Sequence, residues 1–162
     1  MVSRNYWKLL PATSALLLTN LVPNPAMAQT PSLMVKAPVG VVVKKGATVD
    51  VKLTATLNEG FHLNSHTPTE DYLIPLTLKW EGPLETVDVV YPKPQMETYS
   101  FDPKPLSVLT GQFPLVTKFK APATAPPGPV TLNGKVRYQA CNNNSCFAPK
   151  NVPVTVVVQV LP

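Results

Sequence analysis

The chain has 162 residues, with two cysteines, two histidines, twenty prolines, a formal net charge of +5 and a pI near 9.3. Its basic residues are scattered, and no Lys/Arg stripe interleaves with aromatics, so the charge does not point to nucleic acid. Average usage would supply about 8 prolines, and the excess, spread along the chain, forbids long helices almost everywhere.

At the N-terminus, Arg4 and Lys8 precede an apolar stretch from Leu9 to Leu21, and Ala26-Met27-Ala28 forms a small-x-small cleavage site before Gln29. That pattern predicts a secretory signal peptide over residues 1–28. The apolar stretch falls short of the roughly 20 residues a membrane span needs, and no cysteine follows the site to carry a lipid. The expected mature protein is one periplasmic domain over residues 29–162, soluble, without stable membrane insertion, and long enough to build a core.

Candidate strands follow in order: Leu33–Lys36, Gly40–Val43, Val49–Leu57, Tyr72–Trp80, Thr86–Tyr91, Leu106–Thr110, Phe113–Lys120, Val130–Tyr138 and Val152–Val160. The longest three alternate cleanly. Val49, Val51, Leu53, Ala55 and Leu57 oppose Asp50, Lys52, Thr54 and Thr56, and the runs ending at Tyr138 and Val160 behave the same way. Period two with β-branched residues marks half-buried strands. Eight or nine such strands predict an all-β, immunoglobulin-like antiparallel β-sandwich. The stretch APATAPPGP (Ala121–Pro129) is expected to be a turn inside that domain, because the strands on either side need each other's cores.

Both cysteines lie in YQACNNNSCFAPK, from Tyr138 to Lys150. A hairpin turning at Asn143-Asn144 with positive φ at both positions would place Cys141 and Cys146 on facing positions, with Cα atoms about 4.5 Å apart. That is the short end of disulfide geometry. If the alternation through Tyr138 and Ala140 holds, Cys141 faces outward with Arg137 and Gln139. Three readings of the pair remain open on spacing. A local staple would contribute roughly 2 kcal/mol through so short a loop. A redox centre would exploit a strained or exposed, exchangeable bond. A metal site would need His62 and His66 as well, at a spacing that is no recognised ligand signature. The C-x-x-C motif of thioredoxins and its βαβ setting are absent.

Tyr138-Gln139-Ala140-Cys141, then Cys146 and the return through Pro149 into a valine-rich strand, resemble the N-terminal periplasmic domain of the thiol:disulfide interchange protein DsbD. GFHLNS, PTEDYLIPLTL, VVYP and LSVLTGQF extend the resemblance from about Leu33 to Val160. It implies an immunoglobulin-like sandwich whose cysteines shuttle between dithiol and disulfide, with no cofactor or metal. In that family a membrane-embedded domain donates reducing equivalents, and thioredoxin-like periplasmic proteins accept them. Such partners are expected here to be encoded separately. By resemblance Cys146 forms the mixed disulfide with the partner and Cys141 resolves it, with His62 a candidate for proton transfer. The resemblance also implies a cap loop in METYSFDPKP: Phe101 or, second, Tyr99 would be the lid, and Glu97 a further proton carrier. His62 and Asn64 stand where the family places tyrosines, and four residues separate the cysteines where the family can have five. The competing expectations are a non-catalytic protein-binding sandwich with a structural hairpin disulfide, and a periplasmic metal-handling protein using the cysteines with His62, His66 or Met96.

Overall fold

The structure is a computed structural model that describes residues 30–162; the signal peptide expected over residues 1–28 lies outside them. Twelve strands form: β1 (Leu33–Lys36), β2 (Val41–Lys44), β3 (Thr48–Leu57), β4 (His62–Asn64), β5 (Thr77–Glu81), β6 (Glu85–Val90), β7 (Gln95–Tyr99), β8 (Asp102–Leu109), β9 (Gln112–Lys120), β10 (Gly128–Tyr138), β11 (Ala140–Cys141) and β12 (Lys150–Leu161). They build three four-stranded sheets in the orders β1-β3-β9-β6, β2-β12-β10-β5 and β11-β4-β8-β7.

The first two sheets are the sandwich, and their alternation explains why they face each other. Val51, Leu53, Ala55 and Leu57 of β3 and Phe113, Leu115 and Phe119 of β9 are buried in one core cluster. Leu132, Val136 and Tyr138 of β10 and Val154, Val156, Val158 and Val160 of β12 belong to the same cluster. Burying side chains of this size removes about 1.5–3 kcal/mol of apolar exposure each, which fixes both register and facing. Trp80 of β5 crosses the gap between sheets, its indole N–H donating to Thr117 Oγ1 of β9 at 2.9 Å. It lies over Gly134, where a Cβ would come within 2.8 Å of the indole and 2.7 Å of Val154. One ladder departs from the antiparallel expectation: β2 runs parallel to β12, pairing Val41 with Val158. Ala121–Pro127 is a turn, with Ala121 and Ala125 buried against the core.

The third sheet was not foreseen, and it carries Cys141, with Cys146 bridged to its edge. Its strands are short, and β4 is buried at all three positions, so it has no alternation to read. Gly60, at φ 82°, turns the chain from β3 into β4, a conformation that favours glycine. The segment expected to be a strandless cap loop is instead a hairpin. β7 pairs with β8 through Gln95–Val108, Met96–Ser107, Glu97–Leu106 and Tyr99–Asp102. Pro103 and Pro105 hide the first half of β8 from a sequence reading, which expected the strand only from Leu106. They are exposed in its first half, whereas β4 pairs with β8 only at Val108 and Leu109. An unpaired edge tolerates proline because no ladder N–H is missed.

Candidate functional site

The alternation of β10 ends at Tyr138. Gln139 interrupts the strand, and the chain resumes as β11, which leaves β12 and β5 to pair with β4, matching Ala140 with Leu63 and Cys141 with His62. At this junction between sheets, consecutive Ala140 and Cys141 are both buried. Cys141 is therefore not on an outer face: its exposure is 0%. The expected outward phase fails because the strand changes sheets at Gln139.

Cys141 and Cys146 form a disulfide with Cα atoms 3.9 Å apart, and Cys146 is exposed. The turn between them is not the expected one, since no residue other than glycine has positive φ among the described residues. Asn142 makes it instead. Its Oδ1 accepts from the amides of Asn144 and Ser145, each at 2.9 Å, and its own amide donates to Ser145 O at 2.9 Å. An Asx-turn closes the loop with ordinary backbone angles. The limb leaving Cys146 is fixed by the Phe147 amide, which donates to Ala140 O at 2.9 Å. The Phe147 ring also packs edge-on against Phe61, with centroids 5.7 Å apart.

On His62, the strand partner of Cys141, the β7–β8 hairpin lays down an aromatic stack. The Tyr99 ring lies parallel to His62 at 3.8 Å, and Phe101 continues the stack 5.7 Å from Tyr99 and 6.4 Å from His62. Tyr99 Oη donates to Glu97 Oε2 at 2.5 Å, and burial first, then this carboxylate, raises its pKa. Phe101 and Tyr99 also pack on the small cluster of Leu73, Leu106 and Val108. At the hairpin tip Ser100 Oγ donates to Asn143 O at 2.7 Å, so the hairpin and the cysteine loop are joined by a hydrogen bond. Sequence reasoning missed Ser100; its place between two aromatics in a tight turn was the available signal. A cleft of about 350 Å³ beside the stack is lined by Gly60, Phe61, His62, Glu97, Tyr99 and Asn143 among others.

His62 is almost fully buried, and its Nε2 has no hydrogen-bond partner. Burial lowers its pKa to about 4, only partly offset by the nearby Glu97 carboxylate. It is a neutral imidazole at ordinary pH. His66 lies apart in bonding: its Nδ1 is bonded to Leu76 O at 3.0 Å and its ring stacks on Tyr91 at 3.8 Å. Among the described residues no three His, Cys, Asp or Glu side chains come together as a metal-holding group.

Beneath the disulfide lies a side-chain clasp that the sequence did not announce. Gln139 Oε1 accepts from Asn64 Nδ2 at 3.1 Å and from the Ile74 amide at 3.2 Å, while its Nε2 donates to Phe147 O at 3.2 Å. Asn64 Nδ2 also reaches Ile74 O at 3.1 Å. Buried polar groups of this kind are held by their partners, since each would cost about 1–3 kcal/mol if left unpaired.

The sequence matches the family described as "Thiol:disulfide interchange protein DsbD, N-terminal" over residues 30–157. No curated protein matches it. Among solved structures, the N-terminal periplasmic domain of ScsB from Proteus mirabilis is similar with a TM-score of 0.51 at 14% identity, covering 78% of this chain and 45% of that one. The chain thus spans less than half of the ScsB chain it matches. The DsbD N-terminal domain of Neisseria meningitidis, in its reduced form, gives 0.45 at 14% identity, covering 71% of this chain and 82% of that one. At such identity the ScsB likeness shows a shared fold.

Proposed function

The chain belongs to the family of DsbD N-terminal domains, and on that premise we propose that it is a periplasmic thiol-disulfide interchange domain. It relays reducing equivalents through Cys141 and Cys146, to or from thioredoxin-like proteins, with a separately encoded membrane-embedded donor. The observation that carries this reading is the unequal exposure of the pair: Cys146 is exposed and Cys141 fully buried. A pure staple has no need of that difference, whereas sequential exchange does.

In the reduced protein the Cys146 thiolate attacks one sulfur of a partner disulfide. A bond forms between Cys146 and that sulfur, and the other partner sulfur leaves as a thiolate that takes up a proton. Cys141 then attacks Cys146 Sγ, closing the internal disulfide and releasing the second partner sulfur, so that two electrons have passed to the partner. Each step is an in-line displacement and reversible, so the direction is set by relative potential. Only the exposed cysteine can meet a foreign disulfide first. The buried one is confined to the intramolecular step.

His62 supports this chemistry as a platform. A proton leaving a thiol of ordinary pKa, about 8.5, would climb more than four units to rest on an imidazole of pKa about 4, roughly 6 kcal/mol. A base this weak is poorly suited to the proton-transfer role expected for His62. Its neutral ring instead gives Tyr99 a flat surface next to Cys141. The hairpin bearing Tyr99, Phe101 and Glu97 then acts as the cap over the buried cysteine, pinned by Ser100 to the loop it guards.

The reduction potential of the pair tests the reading. A relay predicts a value among the exchange proteins, about −120 to −270 mV, and a structural bridge one below about −300 mV.

A further inference from the structure

Cutting the Cys141–Cys146 bond would ordinarily free a loop of this length, and the two thiols would drift apart. Here the limb after Cys146 has other attachments. Gln139 stands immediately before β11, and its amide reaches β4 through Asn64, the 65–76 segment through the Ile74 amide, and the departing limb through Phe147 O. The amide of Phe147 is bonded in turn to Ala140 O. The two residues before Cys141 therefore both grip the residue after Cys146. Asn64, the other half of the clasp, is completely buried, so water does not compete at its anchor.

We propose that Gln139 is a positioning residue that holds the two thiols of the reduced protein in bonding register, so that ring closure does not rely on the disulfide to shape its own loop. The proposal deepens the interchange reading and rests on it for its purpose. In the oxidised protein the covalent bond fixes the loop, with or without Gln139. In the reduced protein the clasp adds to the Phe147–Ala140 backbone bond and the Phe147–Phe61 contact in keeping the limb from opening. Removing it lets the dithiol relax while the disulfide stays constrained, which lowers the effective concentration of one thiol at the other. One lost hydrogen bond of typical strength across the loop corresponds to a change of about 5-fold in that equilibrium.

The test is the equilibrium of the full chain with reduced and oxidised glutathione, which reports effective concentration without any protein partner. Gln139→Met is neutral and of similar length; Gln139→Asn keeps the amide but is one methylene too short to span the clasp. The expected result is a threefold or greater fall in effective concentration in whichever variant folds, with the alkylation rate of Cys146 in a Cys141→Ala background unchanged. A merely structural role would lower the melting temperature of oxidised and reduced forms equally and leave the equilibrium constant alone. A change smaller than threefold overturns the proposal. The native protein supplies a second measurement that needs no variant: the Phe147 amide should remain protected from hydrogen exchange after reduction, and loss of that protection on reduction also overturns it. Failure to exchange with any thioredoxin-like protein, alongside a Gln139-dependent glutathione equilibrium, would remove the interchange reading and leave the clasp standing.

Discussion

His62 is neutral inside the third sheet, and that neutrality makes the fold sensitive to acid. Its pKa falls from an ordinary 6.5 to about 4 on folding because burial disfavours the charged ring. Between those values the unfolded chain binds a proton that the native chain does not, so stability rises with pH across that window and falls as pH drops from 6.5 to 4. The full effect is at most about 3 kcal/mol. Urea unfolding at pH 4.5 and pH 7 should show this loss in the native protein and a smaller one in His62→Phe, which keeps a ring under Tyr99. Equal pH dependence in both would place the acid sensitivity elsewhere. The lid residues divide by distance. Tyr99 lies 3.8 Å from His62 and Phe101 6.4 Å, so if the stack covers the cysteine strand, Tyr99 is expected to be the stronger lid, where the sequence reading put Phe101 first. A stacked contact of about 1 kcal/mol corresponds to about 5-fold in opening. Tyr99→Ala should therefore speed alkylation of reduced Cys141 by about that factor, and Phe101→Ala by less. A larger effect at Phe101 would restore the original order.

Strands that stay in one sheet with one wet face were legible from sequence. β1 matched its expected limits, and β3, β9, β10 and β12 appeared within a few residues of theirs, since Val51, Leu53, Leu132 and Val156 repeat on a buried face. What escaped were strands lacking that alternation. His62, Leu63 and Asn64 are all buried, β7 is a mostly exposed edge, and Pro103 and Pro105 disguise the first half of β8, whose second half was expected as Leu106–Thr110. The expected strand beginning at Tyr72 starts instead at Thr77, after the 65–76 segment has folded over β8, where the buried Ser65 and Ser107 hydroxyls bond at 2.7 Å. For the site, the two cysteines, the cap residues and His62 were legible as candidates. The burial of Cys141 and the Gln139 clasp were not, because both depend on β10 changing partners after Tyr138, and the Asx-turn was missed because Asn143-Asn144 suggested a positive-φ turn instead. The inter-sheet contact at Trp80 makes its own prediction. Gly134→Ala puts a methyl within 3 Å of both Trp80 and Val154, and should cost about 1–3 kcal/mol by overpacking. A native melting temperature in that variant would mean that Trp80 swings aside freely.

Across the whole molecule, the two-sheet core supplies stability and the third sheet holds Cys141. The central cluster runs through β3, β9, β10 and β12 without using either cysteine side chain, so the fold does not depend on the disulfide for its core. Replacing both cysteines by alanine should therefore leave a folded, cooperatively melting domain; an unfolded double variant at room temperature would identify the bridge as a staple. The measurement that bears most directly on the relay is capture of a mixed disulfide with a thioredoxin-like protein by single-cysteine variants. Cys141→Ala leaves only the exposed Cys146 and should trap the partner in high yield, whereas Cys146→Ala leaves only the buried Cys141 and should trap far less. Equal trapping by both variants would contradict the assigned order of attack, and trapping by neither would contradict interchange itself.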